Sequence, residues 1–197
     1  MRIYGNREIK TLSGQETRPT TAKVREAIFN IWGDRIINCN WLDLCAGNGS
    51  MGAEALCRGA LFVVGIEKNP RACQIIRENW QKVIKKEQNF RILKGDVLHR
   101  LKVLQEQKFD LIYCDPPYQS NLYQQILDLI VEYNLLEIHG QIAIEYNPKQ
   151  PPEINVTQLD VIQTKIYGHT AVNFYESKKI DNKPCKINND SSSESQT

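Results

Sequence analysis

The sequence predicts an α/β fold: a seven-stranded, mostly parallel sheet with helices on both faces, closed by a C-terminal antiparallel hairpin. Three observations predict it. Short apolar runs of strand length alternate with stretches of helical period across short joints, the pattern of a parallel sheet covered on both sides. The alternation stops after Pro148, Pro151 and Pro152, where two β-rich runs joined at Tyr167-Gly168 read as a hairpin. The length of 197 residues, 41% of them apolar and 24% charged, suits one full globular domain and not two.

In chain order, residues 1–19 form a short, polar, partly basic arm with Gly5, Gly14 and Pro19 as breakers. Val24, Ala27, Ile28, Ile31 and Trp32 recur at i, i+3, i+4, i+7 and i+8, so they predict the inward stripe of a helix capped by Thr20 or Thr21. A strand is expected over 41–45, a helix over 51–58 and a second strand over 61–66. Asn69-Pro70 is an N-cap followed by an N1 proline, opening a helix that turns Ala72, Ile76, Trp80 and Val83 inward. Then come a strand at 90–93, a helix at 98–104, a strand at 109–114, a helix at 122–133 and a fifth strand at 141–146. The hairpin occupies 158–166 and 171–176. The folded domain thus spans 20–177, and the Lys-, Asn-, Asp- and Ser-rich stretch 178–197 has too little apolar content to fold and is expected to be a disordered tail.

Net charge is +2, which does not by itself announce a nucleic-acid binder. Residues 1–35 are mildly basic, with Arg2, Arg7, Lys10, Arg18, Lys23, Arg25 and Arg35 against Glu8, Glu16, Glu26 and Asp34. The cysteines at 39, 45, 57, 73, 114 and 185 form no Cys-x-x-Cys pair and read as reduced thiols. No signal peptide and no apolar run of spanning length is seen, so a cytoplasmic protein without a membrane is expected. His99, His139 and His169 are scattered and show no metal-ligand spacing.

The chemistry concentrates at strand ends. After the first strand runs Asp43-Leu44-Cys45-Ala46-Gly47-Asn48-Gly49-Ser50-Met51-Gly52. Its glycines permit a tight turn and close approach of a ligand, and the helix that follows opens with free N–H groups. Glu67 ends the second strand, 20 residues after Gly47, where a carboxylate can accept from both hydroxyls of a ribose. Asp96 follows the third strand and suits either an adenine amine or the cap of the next helix. Gly47, Gly49 and Gly52 also match dinucleotide spacing, but Asp43 and Glu54 put negative charge nearby. A cationic ligand without phosphate, S-adenosylmethionine, fits better. Past the fourth strand stands Asp115-Pro116-Pro117-Tyr118. Two prolines forbid both sheet and immediate helix there, so an acid, a carbonyl and an aromatic ring leave one rigid corner. That set suits a planar base held by its exocyclic amine and its face.

These residues resemble those of amino-directed, S-adenosylmethionine-dependent methyltransferases. With Arg18-Pro19-Thr20-Thr21, Val24-Arg25-Glu26-Ala27-Ile28-Phe29-Asn30-Ile31, the run from Gly52 to Ala60, Glu67-Lys68-Asn69 and Tyr167-Gly168-His169-Thr170-Ala171, the chain is similar over about residues 1–177 to a narrower group. That group is the bacterial family that methylates the N2 amine of guanine 966 in 16S ribosomal RNA. Two residues depart from it, Cys45 where Phe is usual and Asn48 where Ser is, and the amino-terminal arm is shorter and poorer in arginine.

The resemblance implies a Rossmann-like methyltransferase sheet and a catalytic corner of Asp115, Pro116, Pro117 and Tyr118. It implies a cofactor site of Asp43, Ala46, Gly47, Gly49, Glu67, Lys68, Asp96 and Val97. It further implies RNA contacts from Arg18, Thr20, Lys23 and Arg25 on an RNA-facing arm, no metal, and a monomer acting on 16S ribosomal RNA within a small-subunit assembly particle. Competing readings are an adenine-N6 or cytosine-N4 methyltransferase of DNA, an NAD-type oxidoreductase, which leaves the Asp115–Tyr118 corner without a use, and a non-enzymatic RNA-binding module.

Overall fold

The structure, a computed structural model, describes residues 1–12, 22–117 and 122–178. Thr20, Thr21 and residues 179–197 therefore lie outside the described residues, and with them the expected helix cap and nearly all of the expected tail. A two-stranded ribbon, β1 (Arg2–Ile3) and β2 (Arg7–Glu8), precedes the first helix, α1 (Ala22–Trp32). Then follow β3 (Asn40–Leu44), α2 (Ser50–Arg58), β4 (Phe62–Glu67), α3 (Pro70–Val83), β5 (Asn89–Lys94), α4 (Val97–Leu101), β6 (Phe109–Cys114), α5 (Leu122–Glu132), β7 (Leu136–Tyr146), β8 (Leu159–Tyr167) and β9 (Thr170–Ser177).

The seven strands β3–β9 form one sheet in the order β5-β4-β3-β6-β7-β9-β8. The first five run parallel, and β9 pairs antiparallel with both β7 and β8. Strand order reverses between β3 and β6, which opens a crevice at their carboxyl ends. One face of the sheet buries Trp41, Val63, Leu111 and Phe174 against Ile28, Phe29 and Trp32 of α1, Leu56 of α2 and Ile76 and Trp80 of α3. The other buries Leu42, Val64, Ile112 and Ile144 against Val97 and Leu101 of α4 and Ile126, Leu127 and Ile130 of α5. The alternation of Trp41 and Leu42 between these layers is the period-2 pleat of a strand covered on both sides. The expected sheet with its closing hairpin is present.

Two expectations, the α1 stripe and the start of the fifth parallel strand, need correction. The α1 stripe is Val24, Arg25, Ile28, Phe29 and Trp32, while Ile31 is 36% exposed. The helix is rotated because Phe29 stacks on Trp41 at 5.1 Å and Trp32 meets the same ring edge-on. Residues 1–12, the described part of the expected arm, pack on the domain: Ile3 and Ile9 are buried in the same core as α1–α3, and the Met1 amino group donates to the Ile9 carbonyl at 3.0 Å. The fifth parallel strand begins at Leu136, not 141, because β7 passes through a bulge where Gly140 packs against the Asp110 carbonyl and His139 adopts φ 68°.

Candidate active site

The parallel register brings the predicted acids to one edge. Ile66, Leu44, Cys114 and Ile144 stand side by side on β4, β3, β6 and β7. The next residue of each strand is Glu67, Cys45, Asp115 and Glu145. Strands lie about 4.8 Å apart, so Glu67 and Asp115 flank Cys45 across roughly 10 Å. Burial pushes the Cys45 thiol up to about 12, and the charges of Glu67, Asp115 and Asp43 push it the same way. The thiol is thereby kept neutral, and the three carboxylates converge around it.

The glycine turn is built from within. Gly47 has φ 58° and Gly49 φ 72°, and Cys45 takes a left-handed φ of 60° without being glycine. A Cβ on Gly47 would meet nothing within 4 Å, so this side of the turn is open to a ligand. Glu67 holds the turn: its Oε2 accepts from the Gly47 N–H at 2.9 Å and its Oε1 from the Asn69 N–H at 2.7 Å. A carboxylate has about four acceptor positions, so these two bonds leave capacity for ribose hydroxyls. Gly52 has a different task. A Cβ there would fall 2.3 Å from the Trp80 ring, so this glycine exists for helix packing and the apparent dinucleotide spacing is incidental.

Asp43 is 1% exposed and accepts from the Gly52 N–H through Oδ2 at 3.1 Å. Its Oδ1 has no hydrogen-bond partner among the described residues. Burial pushes its carboxyl up to about 7, against the Gly52 N–H and with help from the Glu67 charge. A buried acceptor in this condition fits a donor-bearing, cationic ligand at the turn. Together with the open side of Gly47 and the Glu67 carboxylate, it suits the ammonium and ribose of S-adenosylmethionine.

Other anticipated residues sit as follows. Asp96 caps α4, its Oδ1 accepting from Leu98 and His99 N–H at 3.0 and 3.4 Å. Ala46 and Val97 are buried and Lys68 is exposed. Asp115 is half-buried, Pro116 buried and Pro117 exposed. Lys23 is exposed at the start of α1. Tyr118, Arg18 and Thr20 lie outside the described residues. Arg25 is a correction: it is 3% exposed, its Nε donates to Glu54 Oε2 at 2.5 Å and its Nη2 to the Arg2 carbonyl at 2.7 Å. It ties α1 to α2 and to the first strand and is not placed to grip RNA.

Two features escaped the sequence. Tyr113 donates to Glu145 Oε2 at 2.7 Å, adding a buried carboxylate beside Asp115. On α3, Asn79 and Trp80 reach the two carbonyls of the glycine turn, Asn48 and Gly49, at 2.9 and 2.8 Å. The signal for Asn79 was present, a polar residue on an inward stripe with Ile76, Trp80 and Val83.

The sheet order, the reversed hairpin and the acid-rimmed glycine turn define a Rossmann-like methyltransferase fold. The chain belongs to the family described as Conserved hypothetical protein 95, whose model matches residues 1–176. It is 33% identical to "Putative rRNA methyltransferase YlbH" of Bacillus subtilis (strain 168) over 87% of this chain and 94% of that one. It is 29% identical to "Ribosomal RNA small subunit methyltransferase D" of Haemophilus influenzae over 89% and 91% of the two chains. A solved conserved hypothetical protein of Streptococcus pyogenes superposes with a TM-score of 0.71 at 32% identity, over 79% of this chain and 96% of that one.

Proposed function

We propose that this chain transfers a methyl group from S-adenosylmethionine to the exocyclic N2 amine of a guanine in 16S ribosomal RNA, at position 966. The observation that carries the reading is the flanking of the glycine turn by two carboxylates at one sheet edge, Glu67 on the cofactor side and Asp115 on the other. The relatives named for methylation of small-subunit ribosomal RNA support the choice of substrate.

An aromatic exocyclic amine is a poor nucleophile because its lone pair is delocalised into the ring. The Asp115 carboxylate and the Pro116 carbonyl would accept its two N–H groups and favour a tetrahedral nitrogen. The cofactor, once bound, supplies an electrophilic sulfonium methyl for direct displacement. Orientation is then the main contribution of the protein, and well-placed reactants lower a barrier by roughly 7–11 kcal/mol. The proton lost from the product amine passes to Asp115 or to water. Tyr118 would stack on a guanine drawn out of its RNA neighbours, a contact worth on the order of 1–3 kcal/mol.

Glu67, Asp43, Ala46, Gly47, Gly49, Lys68, Asp96 and Val97 frame the cofactor in this reading. Arg18, Thr20 and Lys23 would contact RNA phosphates and set register without reading sequence. The protein acts as a cytoplasmic monomer on an assembling small-subunit particle that supplies most of the recognition surface. Mass mapping of methylated nucleotides in ribosomal RNA from cells lacking the protein tests the reading: one N2-methylguanine should disappear. Transfer of labelled methyl groups to duplex DNA and not to partly assembled small subunits would overturn it.

A further inference from the structure

Asn79 is 1% exposed, and its side-chain amide has every hydrogen-bonding position but one acceptor site filled. Its Oδ1 accepts from the Lys10 N–H at 2.8 Å. Its Nδ2 donates to the Lys10 carbonyl at 3.0 Å and to the Asn48 carbonyl at 2.9 Å. Only one orientation of the amide satisfies all three partners. No other side chain substitutes: a carboxylate lacks the two donors, and glutamine is one methylene too long for the same seat.

The three partners belong to two distant parts of the chain. Lys10 ends the N-terminal stretch that follows β2, and Asn48 lies in the middle of the glycine turn. Two further bonds lay the N-terminal stretch along α3, from Lys10 Nζ to Glu78 Oε2 at 2.6 Å and from Lys82 Nζ to the Glu8 carbonyl at 2.7 Å. Both of those are exposed, whereas the Asn79 amide is buried. On the turn, Trp80 fixes the next carbonyl, Gly49, so consecutive carbonyls are held from one helix. Gly47 and Gly49 have left-handed φ values that glycine adopts no more readily than many others, so something outside the turn must select them.

We propose that Asn79 is a positioning residue for the cofactor: its amide fixes the Asn48 carbonyl of the glycine turn and couples that turn to the N-terminal stretch at Lys10, which thereby contributes to cofactor affinity. The inference rests on the reading of the turn as the S-adenosylmethionine site. It assigns residues 1–10 a second task beyond any contact with RNA.

The experiment is calorimetric titration of the full chain with S-adenosylhomocysteine, beside steady-state kinetics on small-subunit particles. Asn79→Ala is expected to weaken binding at least tenfold and to raise KM for the cofactor by a similar factor, with kcat within about twofold of wild type. Lys10→Pro removes one donor to Asn79 far from the turn, together with the exposed Lys10–Glu78 pair, and tests the coupling without substituting a residue of α3. It is expected to weaken binding at least threefold, and Lys10→Pro with Asn79→Ala together should bind no worse than Asn79→Ala alone. Glu78→Ala removes the exposed pair with Lys10 and an exposed bond from Gln74, leaves the Asn79 amide its partners, and should leave binding at the wild-type level. Loss of thermal stability in Asn79→Ala with unchanged affinity would make the residue merely structural and overturn the proposal. So would unchanged affinity in Lys10→Pro. A wild-type chain that binds no S-adenosylhomocysteine removes the underlying methyltransferase reading and this inference with it; a wild type that binds, with both variants unchanged, removes this inference alone.

Discussion

The indole Nε1–H of Trp80 donates to the Gly49 carbonyl at 2.8 Å, and the same ring occupies the space that side chains at Gly52 and Gly65 would need. One buried residue of α3 thus sets both the shape of the glycine turn and the distance between α2, β4 and α3. Gly52→Ala gains about 1 kcal/mol of helix propensity. It also places a methyl 2.3 Å from the Trp80 ring, and overpacking of this kind costs about 1–3 kcal/mol. The expected outcome is a net loss of up to about 2 kcal/mol in urea unfolding. Adding Trp80→Leu should remove the clash, so the double variant should be less destabilised than the sum of the singles.

The buried ion pair makes a second prediction. Glu54 receives Arg25 at 2.5 Å on one oxygen and Arg58 at 2.9 Å on the other. Arg25 has 4% of its side chain exposed, whereas Arg58 has 19% and lies over the Tyr4 ring at 4.5 Å. Glu54→Ala leaves two guanidinium groups without their carboxylate, one of them deep in the protein. Removing one partner of a buried pair costs about 3–5 kcal/mol, a large fraction of a typical domain's stability. Arg25→Ala should cost less, because Arg58 still neutralises Glu54, and Arg58→Ala least, because that side chain reaches solvent. Chemical denaturation that ranked Arg58→Ala above Glu54→Ala would contradict this order.

Four of the five parallel strands, β3, β4, β5 and β6, were legible to within a residue because each is a short apolar-rich run between polar joints. The Asn69 cap was equally legible: its Oδ1 accepts from the Arg71 and Ala72 N–H groups, a bond pattern local in sequence. Gly47 and Glu67 belong to the same class, since turn chemistry and strand-end spacing are local. Arg25 was not legible. An arginine on an apolar stripe reads as surface unless its partner is known, and Glu54 is 29 residues away. Asn79 carried a signal as a polar residue on an inward stripe, but its partners, 31 and 69 residues off, were hidden for the same reason. The start of β7 was obscured by Glu137, Ile138 and His139, exposed or half-exposed residues at a bulge that break the apolar run.

A pH dependence follows from Asp43. Its folded-state carboxyl is raised from 3.8 to about 7, chiefly by burial. Below about pH 4 both folded and unfolded states hold the proton. As pH rises toward 7 the unfolded state releases it first, so the fold without ligand loses stability across that window and the loss is constant above it. At 1.36 kcal/mol per unit the loss is a few kcal/mol, on the order of 4 at most. Asp43→Asn removes the titration, so the difference in unfolding free energy between variant and wild type should grow in favour of the variant from pH 4 to 7. A ligand ammonium group at Asp43 reverses the effect, because it favours the charged carboxylate. Affinity for S-adenosylhomocysteine should therefore rise with pH through about 7 in the wild type and be flat in Asp43→Asn, as read by calorimetry in two buffers of different ionisation enthalpy.

The separation of Glu67 from Asp115 across β3 predicts that binding and transfer come apart on mutation. Glu67→Gln turns an amino group toward either the Gly47 or the Asn69 N–H, so one of these two backbone donors loses its acceptor. Hydrogen bonds to charged groups contribute about 1.5–3 kcal/mol, so affinity for S-adenosylhomocysteine should fall on the order of ten- to a hundredfold. At saturating cofactor, turnover should recover most of its wild-type value. Asp115→Ala does the converse. The residue leaves β6 on the far side of Cys45 from Glu67, so cofactor affinity should stay within about threefold of wild type. Turnover should fall by on the order of 10²–10⁴, the usual effect of deleting a group that handles a proton in the transition state. Single-turnover methyl transfer with Asp115→Ala at the wild-type rate would mean that the amine is activated from elsewhere, and Glu145, already hydrogen-bonded to Tyr113 on the neighbouring strand, would be the carboxylate to replace next.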